Sequence, residues 1–398
     1  MKKTVLTFSL AVVAAAALAN PDNRVYIDVA QKGAAIPESM YGLFFEEINH
    51  AGDGGLYAEL LQNRGFEEQV FPGGMTYRDG RVYAPHALNY YGLDYSDAYV
   101  DWDIEAKKYQ GWNITSQGCT LAKDVAAPEV VLHENTPNAL RLSITNATDA
   151  STVNVDNTGY WGIAVDKDAT YRLRFYLRTG DYEGTVKAMI CNAGGVPMVE
   201  KDFEVVNDGT WTEYKAELVS PSKMDNGLFR LQFSGNGHID VDYVSLFPTD
   251  TYKGRENGFR KDLAEMLEGL APAFLRWPGG CIVEGITLEN RVKWKETLGD
   301  PMTRRGEFSL WGYRNSYGFG YHEFLQFCED MGMDGISWPM SACPVVSGTG
   351  ISSQPTIWKT CNLTCKTSAM PLNMPLGIRK PMNGLPRGRL RGIPNLSR

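Results

Sequence analysis

Tyr41-Gly42-Leu43-Phe44-Phe45-Glu46-Glu47 is an apolar run that stops abruptly at two acids. A strand covered on both faces reads this way when its C-terminal end opens on a site. Residues 56–63 then begin a helical pattern. A second run, Phe274-Leu275-Arg276-Trp277-Pro278-Gly279-Gly280, is a strand stopped by Pro and Gly. Before it, residues 258–270 place Leu263, Met266, Leu267 and Leu270 at i, i+3, i+4 and i+7, the pattern of an amphipathic helix. After it, residues 321–331 put Phe324, Phe327, Cys328 and Met331 on one helical face. Strand and helix in alternation predict an α/β unit.

Between 74 and 250 the character changes. Strand-like runs recur at 139–145, 171–179, 185–191, 211–219, 228–234 and 239–247, separated by Gly, Asn, Asp and Pro clusters and almost without helix. That spacing predicts a β-sandwich of jelly-roll type, inserted into the α/β repeat. The chain divides accordingly: 1–19, 20–74 (first βα unit), 75–250 (sandwich), 251–335 (a second unit and the onset of a third) and 336–398.

The two ends read differently from the rest. Lys2 and Lys3, an apolar stretch from Val5 to Leu18 and Ala17-Leu18-Ala19 form a secretory signal. The stretch is shorter than the roughly 20 residues a membrane span takes. The expectation is an exported protein, periplasmic or extracellular, with no membrane span. From 336 to 398 there are eight Lys and Arg and eight of the 20 prolines, but none of the 47 Asp and Glu. This segment reads as truncated or out of frame after about Asp334; a basic interaction tail that binds acidic polysaccharide or a membrane surface is the alternative.

A net charge of −8 argues against nucleic acid as partner. Seven cysteines are too few for a disulfide scaffold in a chain of 398 residues. Cys119 and Cys191 fall in one β-rich region and could pair, which spacing does not show. Cys361 and Cys365 have no second pair or His cluster nearby, and the five histidines are scattered, so no metal or other cofactor is expected. No dinucleotide, Walker, zinc-protease or nucleophile-elbow motif is present.

Three clusters carry chemistry. In Phe45-Glu46-Glu47-Ile48-Asn49-His50, two carboxylates and an amide at a strand end suit a hydroxyl-rich ligand, although a solvated loop start looks the same. Arg276 leaves a strand into a Pro-Gly-Gly turn that gives it room; the bland reading is an ion pair at a sheet rim. Trp294, Trp311 and Tyr313 could stack on sugar rings, as could Trp112, Tyr160, Trp161 and Trp211 in the sandwich, or could simply be core.

The segments at 41–66 (YGLFFEEINHAGDGGLYAELLQNRGF), 274–285 (FLRWPGGCIVEG) and 314–332 (RNSYGFGYHEFLQFCEDMG) resemble the α-L-arabinofuranosidases of glycoside hydrolase family 51, in the form with a β-sandwich between the first and second barrel units. The likeness runs from about 24 to 334. It implies a (β/α)8 barrel, here partial and interrupted by a sandwich similar to carbohydrate-binding modules. It also implies release of terminal, non-reducing α-L-arabinofuranosyl residues from arabinoxylan or arabinan with retention, on hemicellulose- or pectin-derived oligosaccharides. By the same resemblance Glu46 binds arabinose hydroxyls, Arg276 positions sugar and nucleophile, and Cys281 lies near the sugar; Trp311 joins them as an aromatic candidate. The acid/base and the nucleophile of the family come from later barrel strands. With no Asp or Glu after Asp334, neither has its position here, and the expectation is an inactive chain. A glycan-binding protein acting through the sandwich alone is the rival reading.

Overall fold

The computed structural model describes residues 27–83, 89–90, 93–94 and 100–337. The signal expected at 1–19, nearly all of the acid-free segment, and Cys343, Cys361 and Cys365 lie outside them. Residues 27–40 belong to a separate unit, Met1–Met40. They form one 3-10 turn at Glu38–Met40 and bury no side chain.

From Tyr41 onward two sheets dominate, and their elements are numbered here in chain order. The parallel sheet holds β1 (Leu43–Phe44), β12 (Phe274–Trp277) and β13 (Asp334–Ser337), in the order β1-β12-β13. Helix α1 (Lys261–Glu268) leads into β12, and α3 (Tyr321–Met331) leads into β13; a short helix, α2 (Cys281–Glu284), follows β12. This is the start of a (β/α) barrel. β13 continues through Ile336 and Ser337, which pair with Arg276 and Trp277.

The sandwich occupies the connection between β1 and α1. Its strands are β2 (Trp112–Gln117), β3 (Thr120–Ala126), β4 (Ala139–Thr145), β5 (Thr152–Asn157), β6 (Ile163–Val165), β7 (Thr170–Arg178), β8 (Glu183–Asn192), β9 (Pro197–Phe203), β10 (Trp211–Val219) and β11 (Met224–Pro248). One face is β9-β8-β11-β5-β2 and the other β10-β7-β11-β4-β3, all antiparallel, with β6 on the first half of β11. The runs at 228–234 and 239–247 are one strand that passes from sheet to sheet. The crossing point is Gly235 and Gly237, whose φ values are +150° and +124°. A Cβ on either would lie 2.1 and 2.4 Å from the carbonyl oxygens of Glu183 and Asp181. Only glycine lets the backbones approach so closely. Period-two residues such as Leu140, Leu142, Ile144, Leu173, Phe175, Leu177, Phe229, Leu231 and Phe233 fill the space between the sheets.

Several expectations need correction. Residues 56–63 are not helical. Their backbone bonds sideways, Ala58 N to Gly258 O, Leu60 N to Leu246 O and Arg260 N to Leu56 O, so their apolar spacing reflects burial between two layers. Met266 is 72% exposed and Leu270 66%; only Leu263, Ala264 and Leu267 of this helical segment face the core. β1 is shorter and more open than a buried strand, with Phe44 56% exposed, because β1 stands at the edge of the three-stranded sheet. Strands β2, β3, β5, β6 and β9 lacked a clear apolar run and were not foreseen. Cys119 and Cys191 are free thiols.

Candidate functional site

The C-terminal ends of barrel strands are where this architecture places its chemistry. β1 ends by delivering Glu46 and Glu47, and Phe45 N extends the ladder to Arg276 O at 2.9 Å. Glu46 turns across to the loop after β12. Its Oε2 accepts the Gly280 amide at 3.0 Å and its Oε1 the Ile282 amide at 3.2 Å. Gly279 has φ +138°, and a Cβ there would sit 2.5 Å from Glu46 Cγ. The glycine is therefore what lets the carboxylate dock.

Arg276 lies opposite Phe44 in the register, and its guanidinium carbon is 4.9 Å from the Phe44 ring centre. Arg276 Nη2 and Glu46 Oε2 both flank Gly280, about 4 Å from where a Cβ would be. Cys281 is the first residue of α2, beside Gly280. Glu46, Arg276 and Cys281 thus converge on one turn. Trp311 is held differently, on the tip of a hairpin whose arms are Glu307–Phe308 and Arg314–Asn315, with its amide on Ser309 Oγ.

That hairpin reaches the site through its neighbour. Tyr313 OH donates to Glu47 Oε1 at 3.0 Å and accepts the His50 amide at 3.0 Å, while its ring stacks on His50 at 4.0 Å. Glu47 Oε2 takes the Asp53 amide, and Asp53 in turn takes the amide and hydroxyl of Ser316. Burial first, then the nearby Asp53 charge, pushes the Glu47 carboxyl up to about 8. Asp53 was not anticipated; the run of small residues around it, Ala51-Gly52-Asp53-Gly54-Gly55, was the available signal.

A buried ion pair holds the loop that carries this hairpin. Arg304 meets Glu323 at 2.8 Å, both nearly inaccessible, and also donates to the carbonyls of Tyr317 and Gly318. Glu323 accepts the Gly320 amide as well, closing the first turn of α3. Of the other aromatic candidates, Trp294 packs on Tyr321, Trp112 stacks on Phe66 and bonds Asn63 O, and Trp211 bonds Val130 O. These contacts hold the three rings within the fold. Among the described residues no group of three His, Cys, Asp or Glu side chains is placed to hold a metal ion, and no helix is long and apolar enough to cross a membrane.

Residues 266–355 match the alpha-L-arabinofuranosidase 1 domain. The chain is 33% identical over 342 residues to an extracellular exo-alpha-L-arabinofuranosidase of Streptomyces chartreusis, which covers 83% of this chain and 35% of the relative. It is 34% identical to alpha-L-arabinofuranosidase 1 of Arabidopsis thaliana, over 81% of this chain and 44% of that one. An arabinose-bound family 51 arabinofuranosidase, MgGH51, superimposes with a TM-score of 0.65 at 29% identity, over 82% of this chain and 48% of that structure. The chain therefore spans about a third to under a half of the curated relatives named here. With the partial barrel, the inserted sandwich and these likenesses together, the chain belongs to the α-L-arabinofuranosidases of glycoside hydrolase family 51.

Proposed function

We propose that this chain carries the sugar-recognising side of an exported α-L-arabinofuranosidase, specific for terminal, non-reducing α-L-arabinofuranosyl groups of arabinoxylan or arabinan. The observation that supports it most is the seating of Glu46 on the amides of Gly280 and Ile282. Each carboxylate oxygen keeps a second lone pair for a sugar hydroxyl, at an angle the two amides fix in advance. Arg276, aimed by β12, donates to the sugar from the neighbouring strand, with Cys281 forming the wall between them and Trp311 an outer aromatic face.

Retaining hydrolysis takes two carboxyl groups about 5 Å apart, one as acid/base and one as nucleophile, and needs no metal or cofactor. Family resemblance places both on later strands, and residues 335–398 contain no Asp or Glu. On this reading Glu46 and Arg276 bind the sugar, and neither catalytic carboxylate comes from residues 335–398. Glu46→Gln should weaken arabinose binding at least tenfold in calorimetry, since a hydrogen bond to a charged group is worth about 1.5–3 kcal/mol. Unchanged binding removes Glu46 from the sugar site, and turnover of an aryl arabinofuranoside by residues 1–398 would show that two carboxyl groups among residues 1–334 serve in catalysis.

A further inference from the structure

The geometry points to a second sugar contact made by the inserted sandwich: the loop at 158–162 presents Trp161 as a stacking face for a pyranose ring adjoining the arabinofuranosyl group. This rests on the reading of Glu46 as the arabinose-binding carboxylate. It goes further by naming the backbone, a pyranose chain such as xylan in preference to a furanose one such as arabinan.

Trp161 is 68% exposed, and it is the one tryptophan among the described residues that stands mostly in solvent. Its loop is nonetheless fixed. Asn157, fully buried, exchanges hydrogen bonds with the backbone of Gln62 at 2.9 and 3.3 Å and accepts the Gly159 amide at 2.8 Å. The Gly162 amide bonds Thr158 O at 2.9 Å. Gly159 has φ +62°, and a Cβ there would be 2.7 Å from Leu60 O. Tyr160 lies flat against Gly54, where a Cβ would come within 2.4 Å of its ring. Both close approaches are to the loop that follows β1, so the sandwich loop is seated on the barrel side.

From there an aromatic path leads to the carboxylates. His50 lies 5.7 Å from Trp161, edge to face, 5.3 Å from Tyr160 and 4.0 Å from Tyr313. Tyr313 bonds Glu47, the residue next to Glu46. A rigid, solvent-facing indole on that path loses water favourably when a flat sugar face covers it, and its fixed loop has little entropy left to lose. Pyranose rings offer that flat C–H face; puckered furanose rings do not.

The test titrates the full chain with arabinose, with arabinose-substituted xylo-oligosaccharide and with arabino-oligosaccharide. The unaltered chain should bind the xylan-derived ligand more tightly than arabinose or the arabinan-derived one. Trp161→Ala should weaken that ligand about fivefold to tenfold, in line with about 1–1.5 kcal/mol for ring stacking, and leave arabinose within twofold. Trp161→Phe should recover part of the loss. Equal weakening of all three ligands, or none, overturns the proposal and leaves the Glu46 pocket standing. If Trp161→Ala abolishes oligosaccharide binding while Glu46→Gln changes nothing, the arabinose pocket is overturned and with it the adjoining role of the loop. No binding of any ligand overturns both.

Discussion

The sandwich and the barrel portion solve the same problem, burying apolar residues, by opposite means. In the sandwich ten antiparallel strands close on one another, and side chains such as Phe229 and Leu231 have no exposed surface. Among the described residues the parallel sheet has three strands, and Phe44, Met266 and Leu270 stand open to solvent. What the barrel portion lacks in apolar closure it replaces with buried polar pins: Arg304 on Glu323, and Glu59 on Arg64, Ser245 and the Leu246 amide. The last of these fastens the loop after β1 to strand β11. Hydrophobic closure is tolerant of chemistry and sensitive to volume, whereas a buried ion pair is the reverse.

Substitutions break this comparison most sharply where each principle is strongest. Arg304→Ala should cost about 3–5 kcal/mol, because it strands the Glu323 carboxylate in the interior. Phe229→Ala should cost a similar amount, about 3–5 kcal/mol, by leaving a cavity. Restoring bulk separates them: Arg304→Met should recover little while Glu323 remains, and Phe229→Leu most of the loss. Urea midpoints measure all four, and equal recovery at the two sites would erase the distinction.

Glu47 sharpens it at the site. Its carboxyl is held up at about 8 in the fold, against an ordinary value of 4.5 in the unfolded chain. Between those values the unfolded chain has lost a proton that the folded one keeps at Glu47, so the contribution of this group to stability falls as pH rises from about 4.5 to 8 and is constant outside that window. Glu47→Gln should flatten this part of the pH profile relative to the unaltered chain. An unchanged slope would mean that Glu47 does not carry the extra proton of the folded chain. The smallest effect belongs to the open helix: Met266→Lys should shift stability by no more than about 0.5 kcal/mol, as for other surface changes. A loss several times larger would mean that this face is covered in solution.

Much of the fold was legible because its elements alternate strongly. β10, β4, β12 and α3 fall where period-two or period-3.6 apolar spacing put them. Strands with mixed faces, such as β5 (Thr152–Asn157) and β2 (Trp112–Gln117), carry polar residues that serve hydrogen bonds across the fold, and their pattern is blurred for that reason. Residues 56–63 misled in the opposite direction, being buried from two sides without turning into a helix. Glu46 and Arg276 were nameable from a strand end and a glycine turn, and Cys281 through the family resemblance alone. Trp311 was nameable only as an aromatic, as was Tyr313, which the structure brings to Glu47.

By itself the sequence determined the order of units, a sandwich set into an α/β repeat, and the strand ends that carry the candidate site. Periodicity and Gly-Pro punctuation are local properties, readable a few residues at a time. Only the tertiary structure decided that the sandwich loop at 158–162 lies against the loop after β1, and that His50, Tyr160, Trp161 and Tyr313 form one aromatic path. His50, the adjacent Tyr160 and Trp161, and Tyr313 are more than 100 positions from one another along the chain, and no local preference specifies a contact over that distance. It is fixed by where Asn157 finds its partners and by the absence of a side chain at Gly54 and Gly159.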